Sequence, residues 1–483
     1  MELDWLLAPP LPDAVPRQRL LYHRLREAIL AGRLAPGTRL PASRQLAQSL
    51  AIARNTVLFA YEQLLSEGCL LADRQGTRVA PLALGAMTQR AETTPAAPLQ
   101  LSTRAAAALQ PGPVRETAAL PFAPGTPDYG AFPFRAWRAC LERAWREAGW
   151  RQLGYAAHGG DPDLRQALAS HLTTVRGLAV SPEQVVITSG TQAALDLCAR
   201  LLADNGDTVW VENPGYFAAR VAYGLAGLAI HDVAVDGEGL APTKADWRDQ
   251  PPRLVMITPS HQYPTGRVMS LARRLTLIER ARRCGAWIIE DDYDSEFRRA
   301  GPAPPALFGL QPDAPVVYVG TFSKTLYPGL RLGYLVLPKA IAADFTLAAA
   351  QATRAGQGIE QRALADFMAR GSYTAHLRKM RSRYAARQAA LRAALRQTLG
   401  AEIEISGGEA GLHLVLWLPP EVKDTEVAAR AAKLGLAPRP LSAYARPPVA
   451  CNGLVLGYGN LEEARAMEAV RRLALAIHGD GAV

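Results

Sequence analysis

The 483-residue sequence predicts two unlike folds on one chain: an all-helical head closed by a β-ribbon, and a larger α/β body with a mostly parallel sheet. Three observations carry this expectation. Residues 17–80 hold three short helical patterns followed by a stretch that can turn at Gly76. Residues 81–119 are rich in alanine, proline and threonine, with five prolines and little periodicity. From about residue 120 onward, apolar strands alternate with amphipathic helices. The length favours two or three domains, and the expected bounds are 14–80 for the head, 81–119 for a linker and 120–483 for the body.

In the head, "RQRLLYHRLREAILAGRL" puts Leu21, Leu25, Ala28 and Ile29 on one helical face, and Gly32 supplies a stop. After the turn "APGTRLPA", "SRQLAQSL" forms a short helix burying Leu46, Ala47 and Leu50. A third helix begins at "ARNTV", turns Val57, Tyr61, Leu64 and Leu65 inward, and ends at Gly68. "LLADRQGTRVA" then forms a hairpin with Gly76 at its tip. Three short helices and a ribbon are the plan of a winged helix-turn-helix.

Charge agrees with that plan. The formal net charge is +10, and residues 17–80 contribute ten arginines against four acids, more than half the excess in about an eighth of the chain. The first turn of the third helix carries Arg54, Asn55 and Thr56. Arginine bonds guanine in two places, asparagine does so with adenine, and threonine touches phosphate or a thymine methyl. Arg44 and Arg78 are placed for phosphate or minor-groove contact. The expected partner is therefore double-stranded DNA. The stretch "LREAILAGRLAPGTRLPASRQLAQSLAIARNTVLFAYEQLLSEG" resembles the GntR-type winged helix over nearly its full length. Ala51 and Ala53 stand where that family usually has glycine and serine, which weakens helix capping.

Five cysteines without CxxC spacing read as free thiols of a reducing cytosol. No apolar run approaches membrane-spanning length, and the acidic, proline-broken start does not read as a signal peptide. A cytoplasmic chain is expected. Thirty-nine linker residues behaving as a flexible coil would average roughly 35 Å end to end, with one short helix near "STRAAAALQ".

The body's strands are read as "QVVITSG", "DTVWVE", "RLVMITP", "AWIIEDDY" and "PVVYVG". Ligands of such sheets sit beyond the carboxyl ends of the strands. There, Ser189, Gly190 and Thr191 open a helix, a start that suits a phosphate as well as a plain N-cap. Tyr216 follows another strand. The acidic run Glu290, Asp291, Asp292, Tyr293, Asp294 has no histidine or cysteine beside it, so no metal is expected. Six lysines occur in the chain, and one of them, Lys324, lies in the loop "TFSKTLYPGLRLG" after a strand. Thr321 and Ser323 donate hydroxyl bonds and Arg331 grips a phosphate. Neighbouring positive charge is expected to lower the pKa of Lys324 and free its amine for an imine. A phosphate-bearing aldehyde, pyridoxal 5′-phosphate, meets these requirements together.

Residues 120–483 resemble the class I aminotransferases, fold type I of the pyridoxal phosphate enzymes, with a small C-terminal α+β domain implied. On that resemblance Lys324 carries the cofactor as its internal aldimine, Asp291 pairs with the pyridine nitrogen, Tyr293 bonds the ring hydroxyl and Tyr216 stacks on the ring. Ser189, Gly190, Thr191, Thr321, Ser323 and Arg331 hold the phosphate, and Tyr155 reaches the phosphate of the neighbouring subunit in a homodimer. Two positions depart from the pattern. Tyr263 stands where the fold usually has asparagine, with His261 and Gln262 as candidates for its lost bond. Val455 occupies the position expected for the arginine that binds a substrate carboxylate, with Arg439 and Arg446 nearby.

The form "SHQYPTG", with "EDDYDSEFR" and "HLRKMRSRYAARQAAL", resembles the MocR subfamily of GntR regulators, a GntR head fused to an aminotransferase-like body. That resemblance implies a DNA-binding transcriptional regulator that senses pyridoxal phosphate, or an amino-acid or amine effector, through imine exchange at Lys324. Two alternatives stand beside it: an active aminotransferase with an autoregulatory head, and a cofactor-binding scaffold without exchange chemistry.

Overall fold

The computed structural model describes residues 16–81, 100–108, 120–155, 158–299, 301, 304–353 and 356–479. It divides into two units, Met1–Gln100 and Leu101–Val483. Most of the expected linker lies outside the described residues, apart from a helix at Thr103–Ala108 within the second unit.

In the first unit, α1 (Arg17–Leu30), α2 (Ser43–Ser49) and α3 (Arg54–Ser66) enclose a core to which α1 gives Leu21, Leu25, Ala28 and Ile29. From α3 come Val57, Ala60, Tyr61 and Leu64, while Leu65 is only half-buried. The Tyr61 hydroxyl donates to the carbonyl of Pro41 at 2.9 Å and ties α3 to the segment before α2. The wing is an antiparallel pair, β1 (Leu70–Asp73) and β2 (Gly76–Val79), joined by Arg74 and Gln75; Gly76, at φ 123°, is the first residue of its second strand. The turn between α2 and α3 places Ala51 at φ 50°, a left-handed conformation that glycine adopts more readily than alanine. Ala53 gives α3 no side-chain cap.

The second unit is built on an eight-stranded sheet. Its strands are β3 (Val185–Thr188), β4 (Thr208–Asn213), β5 (Ala229–Asp236), β6 (Gly239–Leu240), β7 (Leu254–Ile257), β8 (Trp287–Asp292), β9 (Val316–Thr321) and β10 (Gly333–Val336). The spatial order is β3-β10-β9-β8-β7-β4-β5-β6. Strands β9, β8, β7, β4 and β5 run parallel, whereas β10 is antiparallel to both β9 and β3. The central strands are covered on both faces, which is why they read as continuous apolar runs rather than alternating ones. One face carries Val209, Met256, Ile289 and Val317. The other carries Trp210, Val255, Ile288 and Val316.

Beyond the sheet, a 28-residue helix (Ser372–Leu399) leads to a smaller antiparallel sheet of β11 (Ile405–Ser406), β12 (His413–Trp417), β13 (Arg439–Pro440) and β14 (Gly453–Gly457), ordered β11-β12-β14-β13. The body is thus an α/β layer with a mostly parallel sheet and a small C-terminal α+β domain. No helix among the described residues is long and apolar enough to cross a membrane.

Candidate functional site

The carboxyl ends of β4, β7, β8 and β9 open on one cavity of about 250 Å³. Lys324 lies three residues past β9, and its Nζ donates to the carbonyl of Gly125 at 3.0 Å. Burial lowers the Lys324 pKa, while Asp294 and then Asp291 pull it back up. The amine is therefore primed by desolvation, and the charges nearest it are carboxylates rather than the cations expected from the sequence. Gly125 allows this approach because a Cβ there would lie 2.9 Å from Nζ.

Asp291, next to last in β8, has its pKa pushed up to about 8, first by burial and then by Asp292 and Asp294. Its Oδ1 is buried and has no hydrogen-bond partner among the described residues. A buried acceptor left unpaired is costly. Its natural partner is a cationic N–H entering the cavity, as a pyridinium nitrogen would supply. The donor set therefore fits pyridoxal phosphate: an amine, an orphaned carboxylate and an anion-binding corner face one space.

That corner is made by Thr321, Ser323, Arg331 and the start of the helix Thr191–Leu202, which opens beyond Gly190. The Thr321 hydroxyl donates to Ser323 Oγ at 3.1 Å, and Arg331 Nη2 donates to the Ser189 carbonyl at 3.0 Å. A Cβ on Gly190 would lie 3.5 Å from the Arg331 guanidinium. Ser189 and Gly190 thus back Arg331 instead of lining the cavity. Tyr216, its pKa pushed up to about 12 by burial, lines the cavity with its ring edge-on to Tyr263 at 6.0 Å. Tyr155 lies elsewhere, 81 % exposed, beside a second hollow that includes Ser189.

The position taken by Tyr263 resolves into several contacts. Its hydroxyl is 3.0 Å from that of Tyr444. Gln262 turns away and donates to Glu212 at 3.2 Å and to the Pro214 carbonyl at 2.9 Å. His261 does not line the cavity but backs residues that do: the Tyr293 hydroxyl donates to its carbonyl at 3.0 Å, and Asp294 and His413 both lie against its ring. Its Nδ1 lies 3.0 Å from Asp294 Oδ2. The premise that no histidine accompanies the acidic run holds only along the chain: candidate ligand atoms of His261, Asp294 and His413 fall within 4.8 Å of one another. In this arrangement His261 Nδ1 is engaged by Asp294, and His413 Nε2 by the Pro264 carbonyl at 3.0 Å. Gly125, Gln192, Thr258, Leu412 and His413 line the cavity without having been read from the sequence.

Val455 is fully buried and packs with Val415, Leu441 and Tyr444. Arg439, its partner in register, lies near enough to Tyr263 and Tyr444 to act on their pKa values, yet is not among the residues lining the cavity. Arg446 is held by backbone bonds to Asn213 and lies over the Phe217 ring at 6.0 Å.

In the first unit, Arg54 and Asn55 are exposed and Thr56 is half-buried on the first turn of α3, with Arg44 exposed on α2. Arg54 Nε donates weakly to Ser43 Oγ at 3.4 Å. Arg78 is bound within the wing, to Asp73 at 3.0 Å and Gln75 at 2.6 Å.

Two family models match the chain: bacterial regulatory proteins of the gntR family over residues 17–79, and aminotransferase class I and II over residues 120–445. It is 38% identical to the "Probable rhizopine catabolism regulatory protein MocR" of Rhizobium meliloti, covering 97% of this chain and 96% of that protein. It is 34% identical to the HTH-type transcriptional regulator TauR of Rhodobacter capsulatus, covering 95% and 97%. Among solved structures it is similar to a kynurenine aminotransferase of Pyrococcus horikoshii, with a TM-score of 0.69, 27% identity, and coverage of 76% of this chain and 93% of that one.

Proposed function

Because the chain belongs to the MocR subfamily of GntR-type transcriptional regulators, a DNA-binding head with an aminotransferase-like body, we propose that the body binds pyridoxal 5′-phosphate at Lys324 and reports an amine or amino-acid effector to the head. The observation that carries this reading is the pairing, in one cavity, of the buried Lys324 amine with the orphaned Asp291 Oδ1. When bound, the cofactor supplies an aldehyde that passes between amines, a ring nitrogen that takes a proton, and a phosphate anion.

Lys324 would offer an amine whose burial favours the neutral, nucleophilic form. Asp291 would hold the ring nitrogen's proton, and the Tyr293 hydroxyl would bond the ring oxygen. Tyr216 would lie against the ring. Thr191, Thr321, Ser323 and Arg331 would hold the phosphate at the helix start, with Ser189 and Gly190 fixing Arg331 from behind. The exposed Tyr155 supports a homodimer in which each copy offers this residue to the other's phosphate. A dimer also gives two heads, suited to two half-sites of an operator. Arg44, Arg54, Asn55 and Thr56 would meet the DNA, while Arg78 would do so only by giving up bonds inside the wing. A cytoplasmic location accords with DNA as partner and with free cysteines.

Binding of a duplex from upstream of the chain's own or neighbouring genes tests the reading. Cofactor and candidate amines should change its affinity or its bend. A full-length protein that finds no specific duplex there, with or without the cofactor, contradicts it. Steady multiple turnover of amino donors and keto acids would move the reading to an enzyme.

A further inference from the structure

Residues 37–40 extend the wing beyond its hairpin and run antiparallel to β2. The Gly37 amide donates to the Val79 carbonyl, Leu40 to Thr77 and Val79 to Thr38, each at 2.9 Å. Arg39 pairs with Arg78 in this register, and Arg78 pairs with Leu71 on its other side. Alternation sends Leu40, Leu70 and Val79 into the core, so Leu71, Arg78 and Arg39 form a row across the outer face. The bonds flank the Arg39–Arg78 pair rather than join it, which sets the two side chains at the closest spacing of an antiparallel ladder. Like charges placed opposite each other in a sheet are unfavourable.

The two guanidiniums then go different ways. Arg78 turns to Asp73 at 3.0 Å and to Gln75 at 2.6 Å. Arg39 is exposed and has no hydrogen bond or ion pair among the described residues. Its guanidinium lies over Gly76, where a Cβ would be 3.2 Å from Nε and 3.4 Å from Nη2. Gly76 stands opposite Asp73 in the ladder and has no side chain to cover that face. The tip therefore carries one neutralised cation and one unpaired cation spread on bare backbone. The segment that bears Arg39 leads directly to the base-reading elements: the Pro41 carbonyl accepts from Tyr61 of α3, and Ser43 of α2 accepts from Arg54.

We propose that Arg39, outside the β1–β2 hairpin, is the cation with which the wing reads DNA, and that its site is a narrow, A·T-rich minor groove beside the base pairs met by α3. A narrow minor groove concentrates negative potential and draws an arginine in. A guanidinium lying flat on a tip without a side chain is thin enough to enter, whereas Asp73 and Gln75 hold Arg78 back. A polyanion that takes up Arg39 also relieves its repulsion from Arg78. The inference rests on α3 as the base-reading element. It adds a sequence preference at base pairs that α3 does not touch.

A duplex enriched by the full-length protein from a random pool serves as the probe. The base pairs flanking each half-site are made A·T, G·C or inosine·C; the last keeps the major-groove face of G·C but lacks its minor-groove amino group. Binding is measured by fluorescence anisotropy at one fixed salt concentration. The parent should bind A·T and inosine·C flanks alike and the G·C flank roughly five- to tenfold more weakly, the scale of one disfavoured base pair. Arg39→Gln should bind all three flanks within about twofold of the parent's affinity for the G·C flank, which also shows that the variant folds. Arg78→Gln should keep the parent's preference. A parent indifferent to the flank overturns this inference alone, as does a preference lost in Arg78→Gln and kept in Arg39→Gln. So does an equal loss on all three flanks in Arg39→Gln, the mark of a phosphate contact only. A pool from which the parent enriches no duplex overturns the reading of α3 and this inference with it.

Discussion

Replacing Ala51 by glycine should stabilise the head. Ala51 sits at φ 50° in the turn between α2 and α3, and its side chain is exposed, so the substitution loses no packing. A non-glycine residue in the left-handed region carries about 1–2 kcal/mol of strain. Glycine's greater freedom in the unfolded chain takes back about 0.4–1 kcal/mol. The net gain is therefore about 0.5–1 kcal/mol. Ala53→Ser acts two residues on, where α3 begins without a side-chain cap, and should add about 1 kcal/mol. For a head of this size, each kilocalorie moves the midpoint by roughly 4–8 °C. Hydrogen exchange of the α3 amides in the intact chain reads both effects as slower opening, without requiring the head to melt separately. Unchanged or faster exchange in Ala51→Gly would show that the turn is not strained and would refute the reasoning.

Arg54→Ala should weaken operator binding by about 1–3 kcal/mol and relax preference at one base position, measured by fluorescence anisotropy across a series of operator variants. The parent complex should weaken steeply with added salt; an affinity insensitive to salt would contradict phosphate contacts by the head. Gly125→Ala, at φ 69°, puts a methyl within 2.9 Å of Lys324 Nζ and should cut cofactor occupancy at least about tenfold while leaving far-ultraviolet dichroism unchanged. In the cofactor-free protein, Asp291 keeps its proton up to about pH 8, whereas the unfolded carboxyl has lost it above about pH 4. The folded state then binds more protons, so stability falls as pH rises through this window. Glu212, pushed up to about 7, and Glu296, to about 8, act in the same direction, while the buried His171 and His413 oppose them below the ordinary imidazole pKa. The decline should be clearest between about pH 6.5 and 8 and shallower in Asp291→Asn; equal slopes in denaturant titrations would contradict the assignment.

The fold was legible wherever periodicity and burial coincide. The face Leu21, Leu25, Ala28, Ile29 is a helical repeat whose every member reached the core, and β7 and β9 were readable because burial on both faces permits an unbroken apolar run. The cavity was legible at its strand ends, where Asp291, Thr321 and Lys324 follow apolar runs. It was not legible where the contact is long-range. Gly125 lies 199 residues from Lys324, and no local pattern marks a glycine whose use is to let an amine approach. His413 belongs to the small domain and joins the acidic run only through folding. The cause of the lowered Lys324 pKa was also hidden, because burial of a loop lysine depends on what covers it. Arg78 looked outward in sequence, but Asp73 and Gln75 hold it across the wing turn.

Covalent capture at Lys324 is the most direct test of all this. The purified chain is incubated with pyridoxal phosphate, reduced with borohydride, digested and weighed by mass spectrometry. The account predicts one reduced cofactor on the peptide containing Lys324 and none on that peptide from Lys324→Ala. An unmodified Lys324 peptide, or an adduct spread over Lys244, Lys339 and other exposed lysines alike, would contradict it.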